Sequence, residues 1–167
     1  MMDTTGADKT FETVRRLQAL KQALEASAAG EAPSNGDLEQ HLEQIADQVC
    51  DGPVGIDAED IRHALCGPSG QPPKELALAH GLFSAGPDDA YGIASLLDQI
   101  PAANWPHKNG VFMVATTAPD IKLSQIRELC QAIHARQPKD GVFFFGTAID
   151  ARMTAGLCSV ALLAARW

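Results

Sequence analysis

GVFFFGTAIDARMTAGLCSVALLAARW, residues Gly141 to Trp167, decides the fold. It holds two apolar runs, VFFF at 142–145 and VALLAA at 160–165, separated by the turn-forming stretch around Asp150 to Gly156. Runs this short, bounded by turn residues and rich in Val and Phe, predict strands at Gly141–Ala148 and Leu157–Arg166. Their apolar side chains would point to both faces, so both faces of the sheet must be covered.

Working back along the chain, SQIRELCQAIHARQ predicts a helix over Ser124–Gln137 with Ile126, Leu129, Cys130 and Ile133 inward. NGVFMVAT predicts a strand over Asn109–Thr116. Ser84 to Asp89 has the cap, early Pro and first-turn acids of a helix start, and that helix continues to Ile100. Glu75–Phe83 reads as a further strand, and the turn-rich Gly67–Pro73 as a loop. A short extended piece at Val54–Ile56 and a helix at Asp57–Cys66 precede it. The order from Val54 is therefore β-α-β-α-β-α-β-β: an α/β (α+β) chain with a mixed sheet of about four strands and helices packed on it. The helices at 87–100 and 124–137 cover one face. The other must meet the earlier helices or another chain, because an exposed apolar sheet face aggregates.

Those earlier helices are predicted over Thr10–Ala28 and Asp37–Cys50, the second stopped by Asp51-Gly52-Pro53. In the first, Phe11, Val14, Leu17, Leu20 and Leu24 form a narrow, heptad-like stripe. Such a stripe either docks on its own domain or meets a partner. SAAGEAPSNG, Ser27–Gly36, reads as a flexible linker. The expected division is an N-terminal helix and linker at 1–36, then an α/β domain at 37–167. The stripe and Trp105, in the loop Ala102–Lys108, are the candidate interface residues.

The chain of 167 residues carries a net charge of −8, which disfavours nucleic-acid or anionic-membrane partners, since phosphates need clustered Lys and Arg. Cys50, Cys66, Cys130 and Cys158 are scattered, with no C-x-x-C, so reduced thiols are expected. The polar MMDTTGADKTFETVRR has no apolar signal core, and the run Gly156–Ala165 is too short for a membrane helix. The expectation is a cytoplasmic protein without membrane insertion.

Four segments in order resemble the C-terminal domain of FtsZ, the bacterial tubulin homologue. VGIDAEDIRHAL (Val54–Leu65) is similar to the family's N-x-D-x-x-D loop and helix. LALAHGLFSAGPDDAYGIASLL (Leu76–Leu97) is similar to a strand, a Gly-rich turn and a D-R-A helix. NGVFMVATTAPDIKLSQIRELCQAI (Asn109–Ile133) is similar to a G-x-L-x-N-I-x-G strand, a loop and the next helix. GVFFFGTAIDARMTAGLCSVALLAA (Gly141–Ala165) is similar to the family's last two strands, with FGTAIDARM the best single match. The resemblance covers roughly residues 38–167. The family's Gly-rich phosphate loop has no counterpart in residues 1–37, so no nucleotide cofactor and no GTPase activity are expected of this chain alone.

The resemblance also implies a role for two acids. In FtsZ polymers the matching residues reach the next subunit's nucleotide and help a water attack it; here they are Asp57 and Asp60, and Gly55 replaces the family's Asn. The same residues suit a helix N-terminus with no catalytic role. His63 and Cys66 share that helix, but two ligands fall short of a closed zinc site. No catalytic residue, cofactor or metal is therefore expected. The reading is a non-enzymatic interaction module whose partner is a protein, either FtsZ-like subunits or a second copy of itself, in a bacterial assembly such as the division machinery. The alternative is a small-molecule enzyme or ligand binder resembling chorismate-mutase-like trimers, which needs several cations around one pocket at an oligomer interface.

Overall fold

Residue alternation along the central strands sorts the chain into three layers. The computed structural model describes residues 8–31, 35–49, 52, 54–84, 90–102, 105 and 109–167. In chain order the elements are α1 (Asp8–Ala28), α2 (Asn35–Val49), α3 (Ala58–Cys66), β1 (Glu75–Ser84), α4 (Ala90–Leu97), β2 (Asn109–Thr117), α5 (Leu123–Arg136), β3 (Val142–Ile149) and β4 (Leu157–Arg166). The strands form one sheet in the order β1-β4-β2-β3. β2 and β3 are parallel, joined by the crossover helix α5. β4 runs antiparallel between β1 and β2.

With a side-chain period of two, each buried strand feeds two cores. Val111, Met113, Val160 and Leu162 pack with Leu96, Leu97, Ile126, Leu129 and Ile133 from α4 and α5. Phe112, Val114, Ala161 and Leu163 pack on the opposite face with Leu17, Leu20, Leu42, Ile45 and Leu65 from α1, α2 and α3. The chain's own first three helices thus cover the second face. The continuous apolar strands are no reason to expect another subunit there.

That arrangement corrects part of the interface expectation. Leu17, Leu20 and Leu24 are buried in the chain's own core, so the stripe of α1 meets the sheet and α2 rather than a partner. Val14 is half-buried against the same core. Phe11, at the other end of the stripe, stays 68% exposed. Trp105 is 6% exposed and packs in the α4–α5 core, with the Arg136 guanidinium 6.0 Å from its ring centre, so it is not a surface anchor.

Val54–Ile56 is not a strand. Thr147 N–H donates to Val54 O at 2.9 Å and Val54 N–H donates to Thr147 Oγ1 at 2.9 Å, a one-residue contact on the β3 edge rather than a ladder. The expected helix to Ile100 ends as α4 at Leu97. Gln99 and Ile100 N–H donate to Leu96 and Leu97 O, a tightened last turn, and Pro101 disfavours helical geometry at the residue before it. The expected caps at 85–89 and the stop at Asp51 and Pro53 lie outside the described residues.

Two further contacts fix the sheet's margins. At the start of β2, Gly110 lets α3 approach: a Cβ there would sit 1.6 Å from Ala64 O and 2.8 Å from the Trp167 ring. On the outer edge of β1, the Gln99 amide clasps one residue. Gln99 Nε2 donates to His80 O at 2.9 Å, and His80 N–H donates to Gln99 Oε1 at 3.1 Å.

Candidate functional site

The two acids singled out by sequence stand at the start of α3. Ile56 is buried beneath this segment, and Asp57 turns the chain into the helix with φ −98° and ψ 171°. Asp60 N–H donates to Asp57 Oδ1 at 2.8 Å, and Asp57 N–H donates to Asp60 Oδ2 at 3.4 Å. This reciprocal pair is a capping box, satisfying donors that a helix start otherwise leaves to water. One oxygen of each carboxylate is therefore committed to the fold. The structure brings Asp57 and Asp60 together at the surface, as their spacing implied, and gives both a structural task.

Around them the charge is organised by Arg62. Its guanidinium reaches Glu59 at 3.3 Å and bonds Glu39 of α2, and the Glu39 hydrogen bond pushes the Arg62 pKa up. Glu59 itself keeps a 79% exposed side chain. The α3 start thus presents three acids outward, two of them held in fixed geometry.

His63 and Cys66 do not form a metal pair. The His63 ring meets Phe144 edge-on at 6.1 Å, while Cys66 is buried and burial pushes its thiol pKa up. Among the described residues no group of three or more His, Cys, Asp or Glu is placed to hold a metal ion. Trp167 lies half-buried, its ring against the Cβ positions of Gly67 and Gly110.

Three cavities bear on the ligand-binding alternative. An open groove of about 390 Å³ lies between α4 and α5, lined by Ile93, Leu97, Ala132 and Arg136 among others. A second, of about 420 Å³, has Lys74 as its one cation. A third, of about 280 Å³, has Lys9 and Arg152 beside Ile149. None of the three gathers the several cations that an anionic substrate needs.

The sequence reading missed the exposed apolar residues Leu82, Leu123 and Ile149. Each is a single apolar residue near the end of an element, and single residues leave no periodic signal.

No protein-family model matches the chain, and no curated protein does. Solved structures do match. An empty FtsZ dimer from M. jannaschii superposes with a TM-score of 0.58 at 12% identity, over 85% of this chain and 42% of that one. A tryptophan-to-tyrosine mutant of M. jannaschii FtsZ gives 0.53 at 14% identity, over 85% and 44%. The chain therefore has an FtsZ-like fold over most of its length and spans less than half of the FtsZ chains it matches. The expected four-stranded mixed sheet with helices packed on it is the one found. No helix among the described residues is long and apolar enough to cross a membrane.

Proposed function

We propose that this chain is a non-enzymatic protein-interaction module on an FtsZ-like scaffold, joining or modulating a bacterial polymer or other assembly. The observation that carries the reading is the FtsZ-like fold over 85% of the chain. The FtsZ it resembles was solved as a dimer. In support, the α3 start offers an acidic surface in Asp57, Glu59 and Asp60, of which the capping box holds Asp57 and Asp60 in place. Rigid surfaces lose less conformational entropy on binding than mobile ones.

The test mixes the full chain with assembling FtsZ and follows sedimentation and GTP turnover. The proposal expects the chain in the pellet, or a dose-dependent change in polymer mass or turnover. An unchanged pellet and unchanged turnover over a wide range of stoichiometry overturn it.

A further inference from the structure

β3 is an outer strand of the sheet, and only part of its free edge is covered. Thr147 N–H donates to Val54 O, so the backbone of Thr147 faces outward, and by strand alternation so does that of Phe143 and Phe145. Asp150 N–H, of the opposite parity, donates inward to Thr117 O. Val54 N–H goes to the Thr147 hydroxyl and not to the strand backbone, so the cover ends at that residue. Among the described residues, nothing bonds the outward N–H and C=O groups of Phe143 and Phe145.

This open half of the edge has the chemistry of a strand that pairs. Val142, Phe143, Phe144 and Phe145 are all half-buried. The Phe143 and Phe145 rings stack at 5.7 Å on the α5 side, and the exposed His134 meets Phe143 edge-on at 5.3 Å. Phe144 stands on the other side against the exposed His63. From Val142 to Gly146 there is no charge and no proline, the usual means of keeping an edge from pairing. The other outer strand differs, since Gln99 already bonds the backbone of His80 in the middle of β1.

We propose that the open edge of β3 is the contact surface of a homodimer, two copies pairing antiparallel and joining their sheets into one. The position of Val54 selects this occupant. The open groups lie in the N-terminal half of β3 and the cover in its C-terminal half, so a long incoming strand collides with Val54. A two-fold axis beside Phe143 sets N-terminal half against N-terminal half. Phe143 then opposes Phe143 of the copy, each N–H donating to the other's C=O, and Phe145 opposes Gly141. Thr147, with its Val54, falls opposite Lys139, where the chain has left the strand direction in a turn closed by Gly141 N–H donating to Pro138 O at 2.9 Å. Each copy's cover therefore passes the end of the other's strand. The paired stretch from Gly141 to Phe145 holds no charge, so copies of net charge −8 meet there without like charges opposed along the strand. The contact rests on the sheet edge and stands whether or not the FtsZ-directed reading does.

Sedimentation equilibrium and amide hydrogen exchange of the full chain, from micromolar to millimolar concentration, test it. The expected mass rises to twice the monomer and no further, because a two-fold contact is closed. Over the same range, exchange of the Phe143 and Phe145 amides slows by about tenfold or more, while that of His80, already bonded to Gln99, does not change. Phe143→Lys sets two ammonium groups across the axis and weakens dimerisation by about tenfold or more, as does Phe143→Glu with two carboxylates. An equimolar mixture of the two variants recovers a one-to-one dimer. Circular dichroism checks that each variant is folded, and exchange in the unaltered chain decides the case by itself where one is not. A monomer at every concentration overturns the proposal and leaves the edge to a strand of another protein or to water. A dimer whose Phe143 and Phe145 amides stay unprotected, growth beyond a dimer, or a mixture of folded variants that fails to recover overturns it equally.

Discussion

Truncating Leu20 to alanine should cost far more than truncating Phe11, although both lie on the apolar stripe of α1. Leu20 is 0% exposed and sits among Leu17, Leu42, Ile45 and Phe112, walled by the sheet on one side and α2 on the other. A wall made of a sheet relaxes little into a cavity. Leu20→Ala is therefore expected to lose about 3 kcal/mol, within the range of buried leucine truncations. Phe11, largely in water, should change stability by no more than about 0.5 kcal/mol on truncation. Urea unfolding followed by far-ultraviolet circular dichroism, at one low protein concentration for all variants, gives both numbers, and an unchanged m-value shows that the same surface unfolds. A loss below about 1 kcal/mol for Leu20→Ala would refute the packing of α1 on its own sheet. So would a separate early transition in which α1 melts while the sheet remains.

Gly110→Ala is expected to destabilise by about 1–3 kcal/mol or more, since the new methyl overlaps Ala64 O, whereas Gly55→Ala, with no atom within 4 Å of its Cβ, should be nearly silent; thermal melts of both variants check the contrast. Asp57→Ala should cost about 0.5–2 kcal/mol through loss of the cap, and a thermal melt within error of the parent would contradict the capping box. Burial pushes the Cys130 thiol to about 11 and the Cys158 thiol to about 12. In the unfolded chain these thiols ionise near 9, so between that pH and the raised values the unfolded state binds fewer protons and stability falls as pH rises. Below pH 9 they add no pH dependence; a melting temperature that holds steady on titration from 9 towards 11 would count against this. At neutral pH, alkylation of Cys66 and Cys158 followed by peptide mapping should proceed no faster than global unfolding.

Much of this architecture was legible because the strands and α5 combine strong signals. Val111 to Ala115 and Val160 to Ala165 are unbroken apolar runs, and such runs demand cover on both faces whatever supplies it. Who supplies it was not legible. The stripe from Phe11 to Leu24 has the same spacing whether it meets a sheet in its own chain or a helix in another, so periodicity does not distinguish the two. Val54–Ile56 looked extended, yet only Val54 hydrogen-bonds β3, and a strand requires a run of paired residues. The Asp57–Asp60 spacing fixed a shared helix face and a cap, both found. What an acid does beyond capping depends on groups that another molecule would bring. Leu82, Leu123 and Ile149 escaped notice because each is a single exposed residue in its own segment, and they come to the same end of the sheet only once β1, β2 and β3 are aligned in one direction.

The clasp of Gln99 on His80 has a bearing on how far this sheet can extend. An outer strand offers a row of donors and acceptors on which a strand of another molecule can crystallise, and growth of that kind has no natural stopping point. The primary amide of Gln99 presents one acceptor and one donor to the middle of β1, as a single residue of a fifth strand would. Any incoming strand must first displace it. The ribbon is thereby terminated by a side chain, and replacing Gln99 with alanine should shorten the lag of fibril formation in agitated, concentrated solution.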